Sequence, residues 1–171
     1  NISALKEVQP APVKALEIAV RVGTSWIDKE LYKEFFCQLI ALPYYMRDGI
    51  ELYYNKHDGS WRVDRTTGYV RNFRTMNVTS VYGTERANAY RLFEDCLNQR
   101  STQIYDTVLD EDGREKRVLN QSETVAAREK QNKIKEAFKD WIFASPVRRD
   151  ELEAIYNRLF NQIRLPKYDG S

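Results

Sequence analysis

The chain has 171 residues, 42% of them hydrophobic and 30% charged, and this length and balance fit one soluble globular domain with a real core. Its 27 basic and 25 acidic residues nearly cancel, so whole-chain charge gives no case for a nucleic-acid partner and any such case must rest on local clustering. No run approaches the ~18 apolar residues of a membrane span, the N-terminus lacks a signal-peptide layout, and no partner membrane is expected.

Residues 1–14 show no sustained period and carry Pro10 and Pro12, which reads as a linker into a domain spanning 15–165. The start at Asn1 reads as a fragment of a longer protein. Leu16, Ile18, Val20 and Val22 alternate with polar or small residues up to Gly23, the pattern of a half-buried strand. Thr24, Ser25 or Asp28 can cap a helix carrying Leu31, Phe35, Phe36 and Leu39, which ends before Pro43.

Ile50–Arg65 reads as a β-hairpin turning at Asp58-Gly59. Residues 66–83 are polar and contain two glycines, with apolar residues for one irregular strand. Thr84 is the expected cap of a helix bearing Ala89, Phe93, Cys96 and Leu97. A second, more charged hairpin turns at Asp112-Gly113 within 103–119 and is expected to project from the body.

Asn120 with Glu123 opens a long helix through Ile134, Phe138, Trp141 and Ile142. Ser145-Pro146 starts a last helix through Leu152, Ile155, Tyr156, Leu159 and Ile163, and residues 166–171 form an exit linker. The expected fold is α+β: four main helices packed with a small antiparallel sheet built from the N-terminal strand and the hairpins.

Catalytic patterns are missing. His57 is the single histidine and falls at a turn without a partner. Cys37 and Cys96 fall in apolar helical patterns far apart in sequence, as expected of reduced core thiols in a cytoplasmic protein rather than a disulfide or zinc site. No glycine-rich phosphate loop occurs. The acidic run at Asp110 lacks the alternating ligands of a calcium loop. LPYY at 42–45 is similar in outline to the base-holding loop of adenine methyltransferases, but with one proline and no preceding Asn, Asp or Ser it reads as helix termination. No catalytic residue, cofactor site or metal site is assigned.

One concentration stands out. Between Trp61 and Arg91 every basic residue is arginine, with only Asp64 and Glu85 opposing. Guanidinium groups pair bidentately with phosphate and stack on bases. Arg62, Arg65, Arg71, Arg74 and Arg86, with Trp61 and Tyr69 as stacking partners, are therefore the candidate nucleic-acid contacts. The competing reading is a solvated arginine surface over core aromatics, because strand alternation turns many hairpin aromatics inward.

Three stretches, EIAVRVGTSWID at 17–28, VYGTERANAYRLFEDCLNQRSTQIYDT at 81–107 and the run from Val118 to Asn161, resemble a segment of very large bacterial, phage and mobile-element proteins. Those proteins join a DNA adenine methyltransferase to a Swi/Snf-type helicase, and the segment lies between the two; Tyr168, Asp169 and Gly170 match its exit toward the helicase. The resemblance implies a non-catalytic accessory domain with DNA and the neighbouring methyltransferase and helicase regions as partners. It implies S-adenosylmethionine, ATP and magnesium for the parent, none of them bound by this segment. A structural spacer and a part of the methyltransferase's target-recognition surface are the alternatives.

Overall fold

The structure, a computed structural model, describes residues 20–161. The expected N-terminal strand lies largely outside them, as do the linkers at 1–14 and 166–171 and the end of the last helix at Ile163. Val20–Val22, the described end of that strand, are not in strand conformation. The class is mixed α+β, with α1 (Lys29–Leu39), β1 (Ile50–Asn55), β2 (Ser60–Arg65), α2 (Gly68–Asn72), α3 (Ala89–Leu97), β3 (Tyr105–Leu109), β4 (Glu115–Leu119), α4 (Gln121–Ala144) and α5 (Pro146–Tyr156). Among the described residues the strands form two separate antiparallel hairpins, β1-β2 and β3-β4.

The chain divides into two compact units, the larger being Val22–Phe138. Its core is aromatic. Phe36 of α1 stacks on Phe93 of α3 with ring centroids 4.4 Å apart, and Phe35 meets Phe138 of α4 edge-on at 5.0 Å. Tyr32 packs edge-on against Trp61 of β2 at 5.3 Å. Tyr32, Phe35 and Phe36 fall at helical spacing on α1, whose start is capped by Asp28, its carboxylate accepting from the Glu30 amide.

A tight knot joins the start of this unit to its hairpin. Gly23 has φ +102 and a Cβ there would collide with the Leu97 carbonyl, so only glycine fits. Its N–H donates to the Tyr32 hydroxyl at 3.1 Å and its carbonyl accepts from the Trp61 indole at 3.0 Å.

The β2 edge is closed by α3 rather than by a third strand. Asn98 accepts from the Trp61 amide at 2.7 Å and donates to the Trp61 carbonyl at 2.9 Å, while Glu94 accepts from the Val63 amide at 2.9 Å. Each buried backbone group thus finds a partner.

Two local expectations are corrected. Helix α3 starts at Ala89 with Asn88 as cap, accepting from the Arg91 amide at 3.1 Å, because Thr84 is spent on its own turn with Ala87. Residues 66–83 form no strand: Thr67 caps α2 and Thr75 holds the turn before Val78, so the backbone is satisfied locally, and Val70 and Val78 are buried. The second hairpin is present and exposed along both strands, as expected.

The loop before this hairpin is tied to α4 through buried polar groups. Gln131 accepts from the Thr102 amide and donates to the Arg100 carbonyl, both at 2.9 Å, and Thr124 accepts from the Ile104 amide at 2.9 Å. Asn120 caps α4, as its spacing to Glu123 predicts.

In the second unit, Ser145 caps α5 with Pro146 in the first turn. The Arg148 guanidinium lies 3.7 Å from the Trp141 ring centroid and donates to the Trp141 carbonyl at 2.6 Å. Tyr156 packs against Phe160 at 4.9 Å. No helix among the described residues is long and apolar enough to cross a membrane.

Candidate nucleic-acid interface

The β1-β2 hairpin sorts the candidate residues by its own alternation. Its register pairs Tyr54 with Trp61, Leu52 with Val63 and Ile50 with Arg65, which puts Trp61, Val63 and Arg65 on one face and Arg62 and Asp64 on the other. Trp61 is only 5% exposed and wedged between Tyr32 and Tyr54. It is a core residue and cannot stack on a base, which corrects its place among the candidates.

Arg65 follows Trp61 inward and lies 4.5 Å from the ring centroid of Tyr90 on α3. Arg62 points to the opposite face, over Tyr53 at 4.6 Å, and pairs with Asp64 at 3.2 Å. Arg86 is committed to the root of the second hairpin, donating to Asp106 at 2.8 Å and to the Tyr105 carbonyl at 2.9 Å. That hydrogen bond, with a smaller contribution from Asn120, holds the Asp106 carboxyl below its usual range. Arg62 and Arg86 are therefore each neutralised by a neighbouring carboxylate.

Arg71 and Arg74 are different. Arg71 donates only to the Thr67 and Thr66 carbonyls, and Arg74 only to those of Arg71 and Phe73. Neither has a carboxylate partner among the described residues, and both are exposed. Between them and β2 stands Tyr69, 82% exposed. Of the candidates, Tyr69, Arg71 and Arg74 are thus exposed together on and just after α2 without a carboxylate, whereas Arg65, also without one, is turned onto Tyr90.

The 3-10 turn Tyr44–Gly49 adds Tyr44 and Tyr45, which the sequence analysis took only as helix termination in LPYY. Tyr45 is 84% exposed, and with Met46, Asp48, Gly49, Thr67 and Tyr69 it lines a groove of about 450 Å³. Tyr69 also borders a second hollow, with Gly68, Asn72, Phe73 and Arg74. The signal for Tyr44 and Tyr45 was present: two adjacent tyrosines after a helix-ending proline belong to no core period.

Gly49 lets the turn meet α2. A Cβ there would collide with the Val70 side chain and lie 2.7 Å from Thr67 Oγ1. Gly49→Val is expected to force α2 outward and destabilise the chain by about 1–3 kcal/mol, read as a lower urea midpoint. A midpoint unchanged from wild type would show that α2 is not held there.

Among the described residues no three His, Cys, Asp or Glu side chains are grouped to hold a metal ion. His57 stands in the exposed β1-β2 turn, its amide donating to Asn55.

A family model described as a domain of unknown function (DUF8437) matches residues 21–162. The chain belongs to that family. The match takes in both hairpins and the whole of the Tyr45–Arg74 surface. No curated protein and no solved structure matches the chain.

Proposed function

We propose that this is a non-catalytic accessory domain of a protein joining a DNA adenine methyltransferase to a Swi/Snf-type helicase, and that it helps hold DNA. The sequence resemblance supplies the context. The observation that carries the DNA contact is the pair Arg71 and Arg74, exposed beside Tyr69 with no carboxylate partner among the described residues. Cations left uncompensated on a surface where Arg62 and Arg86 are paired suit phosphate.

The test is fluorescence anisotropy of the purified chain with labelled DNA as salt is raised. Two or three phosphate contacts predict a loss of roughly tenfold to fortyfold between 50 and 200 mM salt. The double variant Arg71→Ala/Arg74→Ala should weaken binding and flatten the salt dependence, with Arg86→Ala much closer to wild type. Binding that is absent, or indifferent to salt, overturns the proposal.

A docking module that seats a neighbouring domain is the second reading, favoured by the exposed Tyr44, Tyr45, Tyr69 and Met76. It predicts that alanine at these positions weakens association with the adjoining methyltransferase or helicase region without any DNA present.

A further inference from the structure

We infer that the groove bordered by Tyr45 and Tyr69 is a slot for an unpaired nucleobase, so that the strand held is single. The inference rests on the DNA-holding reading and specifies what that surface recognises.

Large aromatic side chains are normally the best-buried part of a domain, and in this chain Tyr32, Phe35, Phe36 and Phe93 are fully covered. Tyr45 and Tyr69 are left at 84% and 82% exposed, both on the same groove. Met46 and Thr67 complete its lining with apolar and methyl surface, and the volume of about 450 Å³ is within the range of small-molecule sites. Gly49 and the buried Val70 fix α2 against the turn, so the two tyrosines are carried on elements packed together rather than on separate loops.

Charge sorts the ligand. Asp48 is the charged residue lining this groove, and a carboxylate there repels a phosphate but accepts from the exocyclic amine of adenine or cytosine. Arg74 lines the second hollow that Tyr69 borders, and Arg71 lies with Tyr69 on α2. A strand crossing Tyr69 would place a base beside Asp48 and its phosphates at the arginines. In a duplex the bases are stacked and paired and cannot enter, whereas a single strand presents them without that cost. A purely apolar protein segment would leave Arg71, Arg74 and Asp48 unanswered.

The test compares a labelled oligodeoxyadenylate, an abasic oligomer of equal length and an oligodeoxythymidylate at low salt. Base stacking predicts that the abasic oligomer binds about tenfold more weakly, and Asp48 predicts that thymidylate falls between the two. Tyr45→Ala/Tyr69→Ala should bring oligodeoxyadenylate down to the abasic level and leave abasic binding unchanged; both positions are exposed, so the fold should survive. Equal binding of all three oligomers, or no response to the tyrosine variant, overturns the slot while leaving the DNA-holding reading in place. No binding of any oligomer or duplex overturns both.

Discussion

Phe93→Ala is expected to destabilise the chain by about 3–5 kcal/mol, a large share of the 5–15 kcal/mol that holds a typical domain together. Phe93 is fully buried on α3, stacked on Phe36 at 4.4 Å with an interplanar angle of 10°, and 6.0 Å from Phe35. Removing the ring opens a cavity between α1 and α3 whose other walls are themselves aromatic and cannot collapse to fill it. The stacked partner Phe36 also meets Tyr90 edge-on at 5.3 Å, so it is held from moving into the gap. Urea unfolding should show a lower midpoint at an unchanged slope. A loss below about 1 kcal/mol would mean that the two helices do not share this core.

Raising the pH should destabilise the protein over a defined window. Burial pushes the Cys37 and Cys96 thiols up to about 11 from 9.0, and the Tyr32 phenol up to about 12 from 10.0 against its hydrogen bonds to Thr24 and Gly23. In each case the folded state keeps a proton that the unfolded chain releases. Stability is therefore undiminished by these groups below about pH 9, declines as the unfolded thiols and phenols ionise, and levels off only above the folded values. A displacement of about two units is worth at most roughly 3 kcal/mol per group, reached only above the folded values, so the three groups together lower stability by several kcal/mol, comparable with the lower end of domain stabilities. Urea midpoints measured from neutral pH upward should hold steady and then fall steeply beyond about 9. A midpoint still level at pH 11 would show that these groups ionise freely in the folded chain. The same burial predicts that both thiols stay unreactive toward a thiol reagent in the native state and react on unfolding.

Local signals carried most of the described fold. Asp58-Gly59 gave the first hairpin because Gly59 takes φ +72 and Asp58 accepts from both the amide and hydroxyl of Ser60. Asn120 and Ser145 gave the starts of α4 and α5 because each sets its own cap chemistry within four residues. The start of α3 was misjudged because Thr84 and Asn88 are both capping residues, and the choice between them was made by the turn at Thr84–Ala87.

The candidate site was half legible. The competing reading, that strand alternation turns hairpin aromatics inward, holds for Trp61, and the register sets Trp61 and Arg65 on the face opposite Arg62. What could not be read was pairing at a distance. Arg86 finds Asp106 across twenty positions, and that contact removes it from the free cations. Nor does any periodicity announce that Tyr45, in a 3-10 turn, and Tyr69, on a short helix, open onto one groove.

The closure of the β2 edge by Asn98 and Glu94 bears on how the molecule behaves at high concentration. An open strand edge is a template onto which the same strand of another molecule can dock, and repeated docking builds a fibre. Here two of the backbone amides that would recruit an incoming strand are already held by side chains of the molecule's own helix. Polymerisation through this edge would first require α3 to peel away, and α3 is anchored by Phe93 in the centre of the core.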